Sequence, residues 1–517
     1  MHITLICPPW YSMDTSPITS NNLGLGYIGA YLIQHGHRVE IIDGLSCGNK
    51  NAVRVSAKYQ RVYQIGLDYD EIVSRIPTGT DMIGITAPFV NHAQIIRELS
   101  LKIKARYPNT PLVLGGAYPS TMPEHALSQH IDFVVIGEGE IPMLELASGI
   151  SPEKIQGLYY QGKEQVSQTS ELQNLSTSEL YCQGEQHITT ATRLPWSKKQ
   201  ARVIENLDGI PYPARHLLPV EKYLYADALG RSSRKRSLEI MTSRGCPFKC
   251  TFCATHPVFG YKWRARSVSN IIPEIKQLIS DYDIQHINFI DDNISLDSGR
   301  MNSLLDGLIK ENLGITWSAV SGLRISTLNK ELLEKIKASG GIRINLAVES
   351  GDSTILDAMN KRLDVEKTKE IVGICGKLDL SPRGYLMVGY PGETRESFLK
   401  SIKFCEELKT AGMNTFILSI AQPYPKTSLW EMCKKQGYLV RDDIENVLFF
   451  SEYPEPNIIT PDFDQKEIYF RFKYAKRRLN PLEYWGEKIL PRAWIKQMIP
   501  KELKDRIVSK IPHSSSE

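Results

Sequence analysis

The stretch Arg244-Gly-Cys-Pro-Phe-Lys-Cys-Thr-Phe-Cys253 decides how the chain is read. It sets Cys246, Cys250 and Cys253 on one loop in C-x3-C-x2-C spacing, with no fourth cysteine nearby. Three thiolates so placed hold three irons of a [4Fe–4S] cube and leave the fourth iron open to a ligand that is not protein. A structural zinc site closes with four ligands, commonly as two separated pairs, and this loop offers no second pair. A small zinc knuckle or three unrelated thiols are the alternatives on the residues alone.

Working outward, residues 238–242 read as a strand that feeds the cysteine loop. Short apolar runs follow at 286–290, 315–319, 342–348, 384–388 and 415–420, with amphipathic helical patterns such as 270–280 and 330–338 between them. Strands alternating with helices predict a parallel sheet. Six such units predict a partial (β/α)6 barrel with its functional groups at the carboxyl ends of the strands. Asp291-Asp292-Asn293 ends the second strand and Arg324 stands just past the third. Glu349-Ser350-Gly351 ends the fourth, and Gly389-Tyr-Pro-Gly-Glu393 follows the fifth.

The cysteine spacing, with the aromatic Phe252 before the last cysteine, resembles the radical S-adenosylmethionine (SAM) superfamily. The elements after the later strands match that family in kind and position. The resemblance implies that the amine and carboxylate of SAM chelate the open iron, with Phe252 at the cofactor site. It further implies that Asp291 and Asp292 hold the methionyl amine, that Glu349 lies near the ribose or amine, and that backbone around Met387 and Gly389 lines the adenine. Arg324 is the expected partner of the SAM carboxylate, because its planar fork suits that group. Arg264 and Arg266 are expected to cap the cluster loop.

The first 150 residues open with the apolar strand His2-Ile-Thr-Leu-Ile-Cys-Pro-Pro9, and further strands are predicted at 38–43, 82–86, 111–114 and 131–136. Helical stretches, including 25–35 and 92–106, lie between them. Five such units predict a doubly wound, flavodoxin-like parallel sheet that binds ligands outside the carboxyl ends of its strands. That edge carries Pro8-Pro9, Thr86-Ala-Pro, Gly115-Gly-Ala-Tyr118 and Gly137-Glu-Gly-Glu140. Glycines there let backbone approach a large flat ligand. A G-x-G-x-x-G beginning at Gly24 lies too far past the first strand for a dinucleotide fingerprint. The whole pattern, including Leu-Gly-Leu-Gly-Tyr and Leu-Gly-Gly-x-x-Pro, resembles the cobalamin-binding domain found ahead of radical SAM barrels. The resemblance places Thr86, Gly115, Gly116, Gly137, Glu138 and Glu140 at the cobalamin. An Asp-x-His-x-x-Gly motif is absent, so the bound cobalamin is expected to be base-off with no histidine below the metal.

Length and composition agree with this division. The 517 residues allow three domains or fewer. We assign 1–150 to the cobalamin-binding domain and 151–235 to a linker or insert, flexible around 161–200. The barrel takes 236–450 and a small helical C-terminal region takes 451–517. Ile468, Phe470, Phe472 and Ala475 predict a helix there, packed over the barrel opening. A net charge of +4 is nearly neutral, so nucleic acid is not an expected partner despite basic runs at 231–236 and 261–266. No run of eighteen apolar residues predicts a membrane span, no basic segment precedes the first apolar run, and the other cysteines are scattered. A cytoplasmic protein is expected. The basic amphipathic stretch 490–511 has the pattern of a membrane-surface helix, but a solvated terminal helix is the expected reading.

Cobalamin beside such a cluster resembles the class B radical SAM methylases. In that family a 5′-deoxyadenosyl radical removes hydrogen from an unactivated carbon, which then receives a methyl group from methylcobalamin. The resemblance implies C-methylation of a small-molecule or lipid-like metabolite, with one electron from a flavodoxin- or ferredoxin-type donor. One rival is an anaerobic oxidative cyclase or ring rearrangement with the same cofactors and no methyl transfer. A second, a tRNA methylthiotransferase, is disfavoured: that family carries three further cluster cysteines in its N-terminal domain, where this chain has only Cys7 and Cys47.

Overall fold

The computed structural model describes residues 1–12, 22–48, 52–54, 63–160, 201–225, 235–442 and 456–481. The expected flexible stretch 161–200, most of the basic run 231–236, and the amphipathic stretch 490–511 lie outside the described residues.

The first nine strands are His2–Cys7 (β1), Trp10–Ser12 (β2), Arg38–Asp43 (β3), Ala52–Arg54 (β4), Tyr63–Ile65 (β5), Met82–Thr86 (β6), Leu112–Gly115 (β7), Phe133–Val135 (β8) and Leu158–Tyr160 (β9). Six of them form one sheet in the order β3-β1-β6-β7-β8-β9. The first five positions are parallel, which is the flavodoxin-like order with its switch point between β1 and β6. β9, not foreseen in the sequence, adds an antiparallel edge and carries this sheet past residue 150. The short β2, β5 and β4 make a separate antiparallel sheet. Helices cover both faces; Ala93–Arg106 buries Ile95, Ile96, Leu99 and Ile103 along one stripe. Each such side chain contributes about 1.5–3 kcal/mol when fully buried.

The remaining strands are Ser237–Ile240 (β10), Ser243–Arg244 (β11), Arg264–Ala265 (β12), His286–Phe289 (β13), Thr316–Leu323 (β14), Gly341–Glu349 (β15), Ser381–Val388 (β16) and Thr415–Ile420 (β17). β10-β13-β14-β15-β16-β17 is an all-parallel sheet in chain order. Its end strands β10 and β17 do not pair, so the barrel is partial. Alternation divides each strand. Ile287, Phe289, Ile344, Leu346, Leu386 and Val388 join a core with Ile271, Ile275 and Leu305 of the covering helices. The opposite face gives the lumen His286, Asn288, Ser318, Asn345 and Tyr385. The helices start where capping residues stand: Ser267, Asp297, Asn329, Asp364 and Thr394 each accept a backbone N–H from the first turn. Each cap contributes about 1 kcal/mol.

The C-terminal helix is Gln465–Leu479. Ile468, Phe472 and Ala475 are buried in it, but Phe470 is 55% exposed, because an i, i+2 spacing cannot share one helical face. The first turn reaches the carboxyl end of β16, where Ile468 meets Gly389. Ala475 and Leu479 extend the barrel's outer core, so the helix flanks the open edge instead of spanning the mouth.

Candidate active site

The cysteine loop leaves the barrel through β11 and returns through β12, which pair as a two-stranded antiparallel ribbon. Cys246, Cys250 and Cys253 are free and half-buried. The loop is held by its backbone: Thr251 donates to Met359 O (3.0 Å) and accepts from Leu429 N–H (2.9 Å). Asn360 donates to Lys249 O (2.9 Å), and the His256 ring lies 3.1 Å from Cys246 O. Cys250 Sγ lies 4.0 Å from Asn360 O, a long contact that a thiolate gives up, so the loop does not depend on its sulfurs. Burial pushes the Cys246 and Cys250 thiols up, while Lys361 and Arg324 oppose this at Cys250. Those two cations suit an anionic thiolate cluster. Among the described residues no three His, Cys, Asp or Glu side chains converge on a single metal ion. A cube asks for something else, since each of its irons takes its own, separate thiolate.

Arg324 lies 3.5 Å over the Phe248 ring of this loop and donates through Nε to Ser326 Oγ (2.9 Å). Glu349 ends β15 with φ +64°, buried, 3.5 Å from Lys361. Burial raises its carboxyl, and Lys361 opposes the rise. A non-glycine residue held at positive φ costs of order 1–3 kcal/mol, and such strain gathers at functional sites. Phe252 and Met387 pack against one apolar cluster with Tyr390 and Ile355, so the cysteine loop meets the end of β16. Arg324, Glu349, Phe252 and Met387 are therefore brought together around the cysteines.

Other expected residues take different roles. Asp291 accepts Thr242 N–H and Oγ1–H and the Ser243 hydroxyl. Asp292 accepts Gly245 N–H (3.1 Å) and Thr255 Oγ1–H (3.1 Å). Both carboxylates brace the neck of the cysteine loop at the carboxyl end of β13. Gly389 (φ +80°) donates its N–H to Glu393 Oε2 (2.9 Å). That N–H is therefore taken, while the Met387 and Phe252 side chains line the same end of β16. Arg264 does support the loop, donating to Phe259 O (2.9 Å). Arg266 instead pairs with Glu274 (2.6 Å) and holds Met241 O.

At the N-terminal sheet, Thr86 and Gly115 end β6 and β7 beside the switch point. A Cβ on Gly115 would meet nothing within 4 Å, which leaves the close approach a flat ligand needs. Gly116 has another reason to be glycine: at φ +115° its Cβ would stand 2.5 Å from Ala87 O. Gly116→Ala is expected to lower stability by about 1 kcal/mol or more, read as a fall in Tm; an unchanged Tm would show that this turn yields. Gly137 (φ +85°) packs on Ala201 and Val258 O, not on a ligand. Glu138 and Glu140 are taken up by Arg244 and Arg264 of the ribbon. Gly116, Gly137, Glu138 and Glu140 thus each have a protein contact that accounts for them. The sequence reading missed Trp10, Phe89 and His92, whose rings meet at the switch point 5.4–5.7 Å apart. Trp10 Nε1 and His92 Nδ1 are buried there without a hydrogen-bond partner, and burial pushes His92 down to about 3, so its ring is neutral. Orphaned polar atoms beside an open glycine edge fit the amide-fringed macrocycle of a corrin.

The two edges adjoin. The short loop helix His256–Phe259 packs on Ala117–Thr121, the helix that follows Gly115 and Gly116. Lys426, past β17, donates to Ser120 O (3.0 Å). A three-thiol barrel loop set against the ligand edge of a flavodoxin-like sheet defines a two-cofactor enzyme.

Comparison with known proteins agrees. Residues 240–405 match the family described as the Radical SAM superfamily, and residues 13–147 match the B12 binding domain. The chain is 30% identical over 441 residues to an uncharacterized methyltransferase of Pyrococcus horikoshii, covering 83% of each chain. It is 29% identical over 463 residues to the cytidylyl-2-hydroxyethylphosphonate methyltransferase of Streptomyces wedmorensis, covering 86% of this chain and 83% of that one. The fold is similar to that of TsrM, a radical SAM methyltransferase from Kitasatospora setae solved with tryptophan substrate and a SAM analogue. There the TM-score is 0.62 at 17% identity, over 86% of this chain and 77% of that one. The chain belongs to the radical SAM superfamily, in the cobalamin-dependent branch whose B12-binding domain precedes the barrel. Its cofactors are a [4Fe–4S] cluster, SAM and cobalamin. No helix among the described residues is long and apolar enough to cross a membrane.

Proposed function

We propose that this enzyme C-methylates an unactivated carbon of a small polar metabolite. The observation that carries the reading is the packing of the cysteine-loop helix on the helix after Gly115 and Gly116, which brings the two cofactor edges side by side. When bound, the cofactors supply one-electron cleavage of SAM and a transferable methyl group. The chain's part is placement: Cys246, Cys250 and Cys253 hold the cluster, Arg324 and Glu349 orient SAM, and Phe252 and Met387 keep water from its adenine side. Thr86, Gly115 and the Trp10, Phe89 and His92 rings seat the corrin. A flavodoxin- or ferredoxin-type protein is the expected electron donor.

The lumen supports a polar substrate over a lipid-like one. A register shift after Ala319 frees Val320 O from the β14 ladder. Asn345 Nδ2 (2.6 Å) and Tyr385 OH (2.5 Å) both donate to that carbonyl. This fixes the Asn345 carboxamide and leaves its Oδ1 buried without a donor, as Asn288 Oδ1 is. Two unsatisfied acceptors favour a hydroxyl- or amine-bearing substrate, since a hydrocarbon would leave both at full desolvation cost.

The test is anaerobic incubation of reconstituted protein with methyl-labelled SAM, a reductant and extract from cells lacking the protein. Both 5′-deoxyadenosine and S-adenosylhomocysteine, with label in one polar metabolite, are the expected result. Deoxyadenosine without transferred label would move the enzyme to the cyclase class.

A further inference from the structure

The cysteine loop is closed at its neck by a residue of the other domain. Arg244 and Arg264 stand directly opposite each other in the ribbon, and both are buried, at 5% and 4% exposure. Like charges facing across two strands repel, and the repulsion is strong where water is excluded. Among the described residues no carboxylate of the barrel is bonded to either guanidinium. The counter-charge comes from the turn after β8: Glu138 Oε1 accepts from Arg244 (2.8 Å), and Glu138 Oε2 accepts from Arg264 (2.6 Å). Glu140 takes the second arm of Arg244 (2.7 Å). Glu138 Oε2 also accepts Ile204 N–H (2.7 Å), while Arg264 donates to Ile204 O (2.7 Å), so the returning linker joins the same knot. The Tyr27 ring, from the first helix of the N-terminal domain, lies 5.1 Å from the Arg244 guanidinium.

Arg244 is two residues from Cys246, and Gly245 between them is held: its N–H donates to Asp292 (3.1 Å), and it lies so near the returning strand that a Cβ there would stand 2.5 Å from Lys262 O. Movement of Arg244 therefore passes to the first cysteine. The same turn continues into Glu140–Ala147, the helix that packs on Leu23–Gln34 of the N-terminal domain. We infer that Glu138 and Glu140 are positioning residues, which close the neck of the cluster loop and set the distance between the cluster and the cobalamin. Neither touches a reacting atom. Their effect is on geometry, so the cluster and the cobalamin each bind without them but no longer stand in register. This inference rests on the two-cofactor site of the proposed function, but not on which product that site makes.

The test compares full-length, reconstituted wild type with Glu138→Gln, Glu140→Gln and Arg244→Lys. The readout is the EPR spectrum of the reduced cluster beside cob(II)alamin, where magnetic coupling between the centres reports their separation. E138Q is expected to keep wild-type iron and cobalamin content but to lose or broaden that coupling. In SAM turnover its ratio of 5′-deoxyadenosine to S-adenosylhomocysteine should rise at least tenfold, as radical formation and methyl transfer fall out of step. E140Q, which removes one of Arg244's two partners, should show a smaller rise. R244K, which keeps the charge but loses the fork, should resemble E138Q. If E138Q does not fold, E140Q and R244K decide. Wild-type coupling in the folded variants overturns the inference. A wild type that makes deoxyadenosine and no methylated product sinks the proposed function instead, and the coupling still tests the clamp.

Discussion

Cys250→Ala is expected to remove the cluster and bring SAM cleavage below detection while leaving cobalamin bound. With Cys246, Cys250 and Cys253 proposed to hold the cluster, one alanine opens a second iron and the cube is no longer held. The substitution does not unfold the loop. Its anchors are Thr251 N–H to Met359 O, Leu429 N–H to Thr251 O and Asn360 Nδ2 to Lys249 O, none of which uses a sulfur. Cys250 is half-buried at the loop surface, so alanine leaves no core cavity. The neck of the loop stays closed, because Arg244 and Arg264 keep Glu138 and Glu140. The corrin edge at β1, β6 and β7 is built from a different sheet. Iron analysis and the cluster EPR signal should both vanish, with no 5′-deoxyadenosine by mass spectrometry and an unchanged spectrum of bound cobalamin. Loss of cobalamin as well would mean that the two sites are not separable.

The parts of this site legible in the sequence were those written locally. Cysteine spacing lies within ten residues, and the strands of both sheets declare themselves by apolar runs between helical stripes; Arg38–Asp43, Met82–Thr86 and Thr415–Ile420 fall where those runs do. Other residues of the site carry contacts to distant partners that the sequence does not mark. Glu138 and Glu140 sit at the carboxyl edge of a ligand-binding sheet and look like ligand groups, yet Arg244 lies 106 and 104 residues away from them. Asp291 ends its strand as a SAM ligand should, but its partners Thr242 and Ser243 come from the neighbouring strand end, 49 and 48 residues earlier. No periodicity encodes such pairings. The β11–β12 ribbon is two residues a side, too short for any pattern to mark. Trp10 and His92 became visible only when β1 and β6 were found adjacent.

Arg471→Met is expected to destabilise the enzyme by about 3–5 kcal/mol above neutral pH, the usual consequence of breaking a buried ion pair. Arg471 is 1% exposed on the C-terminal helix and donates to Glu393 O (2.7 Å), Glu393 Oε2 (3.3 Å) and Glu467 Oε1 (3.1 Å). Methionine keeps the length of the stem but leaves Glu393 buried with no cation. The deficit should depend on pH. Burial already pushes Glu393 up to about 7, against the lowering effects of Gly389 N–H and Arg471. A carboxyl whose folded value is raised takes up a proton on folding. Its stabilising contribution is complete below the unfolded value, near 4.5, and is lost as pH rises through the folded value. Without Arg471 the folded value climbs further, so the loss in the variant continues past pH 7, at about 1.4 kcal/mol per pH unit. At pH 5 both proteins hold Glu393 as the neutral acid, and only the lost hydrogen bonds separate them. Thermal melts at pH 5, 7 and 8.5 should therefore show a gap in Tm that widens with pH; a constant gap would mean that Glu393 is not the group left exposed to the loss. The consequence reaches the site through one bond. Glu393 holds Gly389 N–H (2.9 Å), so the carboxyl that loses its cation is the one that anchors the turn beside Met387, proposed to flank the adenine of SAM.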